Sequence, residues 1–346
     1  MYNEQVSLVN LFFAWDDFKK GKQQKPDVLM FERNLEDNIF TLHEELTTKK
    51  YQHQPYYTFH IYDPKFRIIN KATVRDRVVH HLIYEYLEKI FQPTFIYHSY
   101  SCQRNKGVHL SVQNVSKALR KISKNYTVPV WSLKMDIKKF FASVDQTILV
   151  SLLRKKIIDD DFFDLLQKII FSYCSDQGKG LGMSIGNLTS QIFANIYLSP
   201  LDYFAKQILK EKYYFRYADD FLFLHTDRAH LEKIQETLIN FVEQELHLIV
   251  HPNKIIFKKF TEGIDWLGYV FLPHYRVLRT STKRRMFKNM HNKAQQYNAG
   301  LLSNYELSQS LQSYLGIMKH CNNFELSQKL VNKVFFEAEQ KYDSNT

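Results

Sequence analysis

A chain of 346 residues, 45% hydrophobic and 24% charged, carries enough apolar material for a packed interior, which excludes a disordered tail and a miniprotein. Lys and Arg number 47 against 36 Asp and Glu, a formal charge of +11, and this points to a polyanionic partner, nucleic acid ahead of a membrane surface. No apolar run is long enough to span a bilayer and the first residues lack the basic-then-apolar order of a secretory signal, so a cytoplasmic protein without a membrane is expected.

Only ten Gly and eight Pro punctuate the chain, with no linker-like stretch, so lobes sharing one continuous body are expected. Residues up to about Lys50 are helical in pattern, because Leu35, Ile39, Leu42 and Leu46 recur at three and four residues. A strand pair follows: Tyr57, Phe59 and Ile61 alternate, Asp63-Pro64 turns, and Phe66 to Ile69 resumes. Val74 to Phe91 reads as a helix. The period then changes to two: Trp131, Leu133, Met135 and Ile137 face one way while Lys134 and Asp136 face the other, which predicts a half-buried strand with Asp136 on its wet face. Leu188 to Ala205 is helical, Tyr213 to Leu224 is apolar with an Ala218-Asp219-Asp220 interruption, and Leu231 to Leu246 is helical again. From Thr282 the pattern is helical and basic, and Lys283, Arg284, Arg285, Lys288 and Lys293 are expected either to grip a phosphate backbone or to form a solvated face. The order predicts an α+β architecture, a sheet with helices on one face. Cys102, Cys174 and Cys321 lie far apart without a C-x-x-C pair, which argues against a disulfide framework and a structural zinc site.

The most informative string is Phe215-Arg216-Tyr217-Ala218-Asp219-Asp220-Phe221. A tight hairpin between the flanking apolar runs carries both carboxylates to its tip. Adjacent like charges raise each other's pKa unless a cation neutralises them, and magnesium, a hard ion completing its octahedron with water and phosphate oxygens, suits such a place. The turn lacks Gly, so a strained backbone is expected within it. If the Asp136 strand lies beside the hairpin, three carboxylates hold two metals, one activating a 3'-hydroxyl and the other stabilising the leaving pyrophosphate, which is nucleotidyl transfer.

Tyr217-Ala218-Asp219-Asp220 together with Met135-Asp136-Ile137-Lys138-Lys139-Phe140-Phe141 resembles the palm of a reverse transcriptase, and the likeness runs over nearly the whole chain. Pro64-Lys65-Phe66-Arg67, Arg75-Asp76-Arg77 with His80-His81, and Phe95 to His109 resemble the fingers motifs of bacterial members. His251-Pro252-Asn253-Lys254 resembles the region bearing a lysine near the triphosphate, Ile264 to Tyr269 the primer-grip hairpin, and Ser313 to Gly316 falls in the thumb. The resemblance implies a right-hand polymerase fold: N-terminal helices and fingers over 1–125, a palm built on an antiparallel sheet over 126–280, and a helical thumb over 281–346. Within Gly180 to Gln191, Ile185-Gly186 followed by Ser190-Gln191 is similar to the reverse transcriptases of diversity-generating retroelements, where most relatives read Gln-Gly and Ser-Pro.

That family implies error-prone copying of a template RNA into cDNA with mutagenesis at adenine, using dNTPs, a primer strand and two Mg2+ ions, with Mn2+ as a substitute, and a small basic oligomeric accessory protein. Asp136, Asp219 and Asp220 are then the metal ligands, with the Ile137 carbonyl as an extra oxygen. Phe141 lies under the sugar and selects deoxynucleotides. Ile185 stands against the incoming nucleotide, where an aliphatic side chain offers no amide to hydrogen-bond sugar or base. Lys65 and Arg67 neutralise the triphosphate, with Arg75 and Arg77 as alternatives. Lys254 protonates or holds the pyrophosphate, Gly186 permits close backbone approach, and Ser190, Gln191 and Asn195 begin a helix whose polar face meets template or primer. His80 and His81, adjacent on a helix, point apart, so packing or phosphate contact is expected rather than metal binding. Two other readings stay open: another prokaryotic reverse transcriptase, retron-like or defence-associated, and a non-catalytic RNA-binding scaffold.

Overall fold

Local signals set most element boundaries in the computed structural model, which describes residues 2–62 and 65–343, with side chains up to 337. Four helices open the chain: α1 (Tyr2–Gln5), α2 (Leu8–Lys19), α3 (Pro26–Glu32) and α4 (Leu35–Thr47). Ser7 accepts from the Asn10 amide to start α2, and Pro26 presets the first turn of α3. On α4, Ile39, Leu42 and Leu46 are buried, as their spacing predicts. The hairpin of β1 (Tyr57–Ile61) and β2 (Arg67–Lys71) is antiparallel, pairing Tyr57 with Lys71 and Ile61 with Arg67. Its alternation does not mark a core face: Tyr57 and Ile61 are exposed. The Asp63-Pro64 turn lies outside the described residues.

Next come α5 (Val74–Phe91), capped by Thr73, then α6 (Val108–Ile122), β3 (Trp131–Asp136), α7 (Phe140–Ser143), α8 (Gln146–Arg154), α9 (Asp160–Phe171) and α10 (Leu188–Tyr203). The hairpin of β4 (Tyr214–Tyr217) and β5 (Asp220–His225) leads to α11 (Arg228–Leu246) and β6 (Ile256–Lys259). A meander of β7 (Ile264–Trp266), β8 (Tyr269–Leu272) and β9 (Tyr275–Leu278) precedes α12 (Thr280–Asn298), α13 (Asn304–Met318) and α14 (Phe324–Asp343). The four-stranded sheet has the order β4-β5-β3-β6, with β6 antiparallel to β3, and β7-β8-β9 form an antiparallel sheet of their own. No helix among the described residues is long and apolar enough to cross a membrane.

The chain divides into two compact units that cut across the three expected segments: residues 1–107, 135–221 and 232–255, and residues 108–134, 222–231 and 256–346. In the first, α5 packs on α2 and α10, and α10 buries side chains all round, from Ile192 and Phe193 to Tyr197, Leu198 and Leu201. Asp136 belongs to this interior. Although alternation predicts a wet face, it is only 7% exposed, because groups described below cover it. In the second unit Trp266 is fully buried and donates to the Ser111 hydroxyl of α6 at 2.9 Å. There α12 turns Met286, Met290 and Ala294 inward and leaves Arg284, Arg285 and Lys288 exposed.

One ion pair joining β4 to α10 is wholly internal. Arg216 on β4 donates to both oxygens of Asp202 on α10, at 2.8 and 2.6 Å, and to Asn195 Oδ1 at 3.1 Å, while the Tyr214 hydroxyl donates to the same Asp202 at 2.8 Å. Both charged residues are at most 1% exposed, so removing one leaves the other desolvated and unpaired. Arg216→Met is expected to lower stability by about 3–5 kcal/mol in urea unfolding. A loss below about 1 kcal/mol would show that the pair is replaceable.

Candidate active site

The turn from β4 to β5 is two residues long, Ala218 and Asp219, and Ala218 adopts φ +51°. A left-handed alanine costs roughly 1–2 kcal/mol, and Arg216 offsets part of it by donating from Nη1 to the Ala218 carbonyl at 3.2 Å. The strain expected of a Gly-free turn is therefore present. It places Asp219 at the tip and Asp220 at the first position of β5.

Asp136 closes β3. Beyond it Ile137 pairs with Val250 in an antiparallel bridge; the His251 amide donates to the Asp136 carbonyl, and the Lys138 amide to that of Ile249, each at 2.8 Å. A short 3-10 turn, Pro252–Lys254, then swings Lys254 back so that its ammonium hydrogen-bonds Asp136 Oδ2. Burial works against the charge on Lys254, but the hydrogen bond and charge of Asp136, with Asp219 and Asp220 behind, raise its pKa overall. Burial first, and the charge and hydrogen bond of Asp136 as well, push the Asp219 carboxyl up to about 7. The site thus brings two carboxylates together in poor solvent with one ammonium against them.

Among the described residues no three His, Cys, Asp or Glu side chains are gathered as a ready-made metal cage. The donor chemistry nevertheless fits a hard divalent ion: Asp136 and Asp219 offer only oxygens, their contact is unfavourable without a cation, and Mg2+ commonly takes one or two carboxylates and completes its shell with water and phosphate.

On α7, a few residues after Asp136, Phe140 is core and Phe141 is half-buried, their rings edge to face with centroids 5.5 Å apart. The Phe141 carbonyl accepts from Met183 at 2.7 Å, which ties α7 to the segment that carries Ile185 and Gly186. Ile185 is half-buried and Gly186 exposed. Gly186 has φ +115°, and a Cβ there would stand 2.8 Å from Ile69 Cγ2 on β2, so the glycine is sterically required.

Several expected contacts are reassigned. Arg75 is committed to Glu45 and Asp76, to the Gln52 carbonyl and to the face of Tyr51, and Arg77 to Asp27 and Phe18, so neither guanidinium points to a free triphosphate position. Lys65 and Arg67 are exposed on the β1–β2 hairpin. Of the three residues expected on a polar helix face only Gln191 is exposed: Ser190 faces Ser184 inside, and Asn195 links Ser101 to Arg216. His80 is buried between Thr189 and His53, and His81 packs on Phe18, so both are packing residues. The residues unassigned from sequence are Arg216, visible there only as a charge inside an apolar run, and Asn187, which has no sequence signal beyond lying between Gly186 and a helix.

The model of the reverse transcriptase (RNA-dependent DNA polymerase) family matches residues 60–271. Protein YkfC of Escherichia coli is 25% identical over 280 residues, covering 69% of this chain and 72% of its own. The group II intron-encoded protein LtrA of Lactococcus lactis is 26% identical over 180 residues, 50% of this chain and 29% of its own length. Among solved structures, telomerase from Candida albicans in complex with a telomeric RNA fragment is similar with a TM-score of 0.50 at 13% identity, over 86% of this chain and 61% of that one. This likeness is one of fold, a polymerase built of helices and antiparallel sheets as the sequence predicts. The chain belongs to the reverse transcriptase family of RNA-directed DNA polymerases.

Proposed function

We propose that this chain is the polymerase of a diversity-generating retroelement, copying a template RNA into cDNA with frequent errors at adenine. The observation that supports nucleotidyl transfer is the Asp136–Asp219 contact with Lys254 laid across it. In this reading Asp136, Asp219 and Asp220 hold magnesium, with manganese as a substitute. Two such ions, when bound, lower the pKa of the primer 3'-hydroxyl and stabilise the leaving pyrophosphate.

The chain's own groups do the rest. Lys254, released from Asp136, holds or protonates the pyrophosphate. Lys65 and Arg67 meet the triphosphate from the hairpin, and Phe141, half-buried five residues after Asp136, occupies the space a 2'-hydroxyl would need. Ile185 presents an aliphatic surface to the nascent pair, with no hydrogen bond to check sugar or base, and this supports the error-prone subtype. Gly186 allows close backbone approach, and Gln191 faces outward at the start of α10. The exposed Arg284, Arg285 and Lys288 suit phosphate neutralisation, which salt weakens. In this division of labour the fingers, palm and thumb follow residues 1–125, 126–280 and 281–346, and a small basic oligomeric protein joins the template RNA as partner.

The likeness to LtrA, a group II intron-encoded protein, keeps a second reading open, another prokaryotic reverse transcriptase, retron-like or defence-associated, for which accurate copying would be the sign. Primer extension on a defined RNA template with sequenced products separates the two: errors concentrated opposite adenine support the first, accurate products the second. Asp219→Asn is expected to cut extension at least about a thousandfold while leaving the urea midpoint unchanged or raised, since it removes a charge buried against Asp136. Retained activity would displace Asp219 from the chemistry. Ile185→Gln should lower errors opposite adenine several-fold with synthesis intact; an unchanged error spectrum removes Ile185 from base checking. Phe141→Ala should admit ribonucleotides, measured as alkali-sensitive sites in the product, and undiminished sugar discrimination assigns the gate to another residue.

A further inference from the structure

The loop that carries Ile185 is joined to β2 by a polar seam built around Asn187. The Asn70 amide donates to the Ile185 carbonyl at 2.9 Å. Asn187 Nδ2 donates to the Asn70 carbonyl at 2.8 Å, and Asn187 Oδ1 accepts from the Ala72 amide at 3.0 Å. The second Nδ2 proton goes to the Ser184 hydroxyl at 2.8 Å. Asn187 is 2% exposed and stands immediately before α10, where asparagine ordinarily caps a helix, yet its side chain makes no cap bond. The amide is turned away from its own helix and onto the strand, where it pairs with successive backbone groups as a neighbouring strand would. The close approach of Gly186 to Ile69 lies along the same seam.

We propose that Asn187 is a positioning residue that sets where Ile185 stands against the incoming nucleotide. The inference rests on the reading of Ile185 given above. With its carbonyl held by the Asn70 amide, Ile185 is fixed to β2 through its own backbone, and the placement of its side chain follows from the Asn187 seam. The seam also joins the loop to the β1–β2 hairpin that bears Lys65 and Arg67, so triphosphate contact and base checking move together. Without the amide the loop drifts from β2, which weakens nucleotide binding and alters which errors are made, but leaves the carboxylates in place.

The test is single-nucleotide incorporation on a defined RNA template by wild type, Asn187→Ala, Ile185→Gln, Gly186→Ala and Gly186→Ala/Ile69→Ala, with urea midpoints measured for each. Asn187→Ala is expected to raise the KM for the correct dNTP about tenfold with kcat within about threefold, and to change the ratio of wrong to right nucleotides opposite adenine. Gly186→Ala should do the same by pushing the loop off Ile69, and Ile69→Ala in the double variant should recover part of the loss. These two variants carry the test if Asn187→Ala does not fold. A change in kcat that merely tracks the folded fraction, with KM and error ratio unmoved, overturns the proposal. If Ile185→Gln shifts the errors and neither the Asn187 nor the Gly186 variant does, the inference alone falls; if none shifts them, the reading of Ile185 falls with it.

Discussion

Two carboxylates, a buried Asp136 and a half-buried Asp219, stand close enough to repel one another, and the surrounding structure is arranged to make that arrangement tolerable. Burial first, and then the like charge of Asp136, push the Asp219 carboxyl up to about 7, and Lys254 folds back onto Asp136 to offset the crowded charge. Holding them demands rigid backbone on both sides. The bridge from Ile137 to Val250 supplies it for Asp136, and the left-handed turn at Ala218 supplies it for Asp219. Crowded carboxylates of this kind are the donor chemistry that suits a hard divalent cation.

Beneath the acids a second layer of buried polarity makes the first possible. Arg216 satisfies Asp202, Asn195 and the carbonyl of Ala218 at once, so the strained turn is connected directly to α10. Asn187 acts comparably at the other end of that helix, joining the Ile185 loop to β2. His80, with its pKa held low by burial, forms a further buried polar chain with Thr189 and His53. Fully satisfied polar groups of this sort specify one arrangement rather than adding much net stability, because each has exchanged water for a partner of fixed direction.

Much of this was legible in the sequence where the signal is local. The spacing of Ile39, Leu42 and Leu46 marks α4, the run from Val74 to Phe91 is α5 residue for residue, and the Tyr217 to Asp220 string announces both a hairpin and its strained turn. Alternation failed twice for the same reason: it reports which side of a strand a residue lies on, not what covers that side. Tyr57 and Ile61 stay exposed to solvent, whereas the supposedly wet side of β3 at Asp136 is closed by Lys254 and Asp219. Arg75 and Arg77 illustrate the related limit that a cation's value depends on whether an acid reaches it first, as Glu45, Asp76 and Asp27 do here.

The sequence by itself determined the periodicities, the hairpin with its adjacent acids, the net positive charge and the motif order that marks the reverse transcriptase family, because each depends on residues near one another in the chain or on sums over it. Tertiary structure alone decided that Lys254 lies on Asp136, that Arg216 is internal, that Ser190 and Asn195 face inward while Gln191 faces out, and that Asn187 serves β2 instead of its own helix. Most of these are pairings between groups remote in sequence, 14 residues apart for Arg216 and Asp202 and 118 for Lys254 and Asp136. A polar side chain takes whichever partner the packed backbone brings within about 3 Å, and no local pattern encodes that partner.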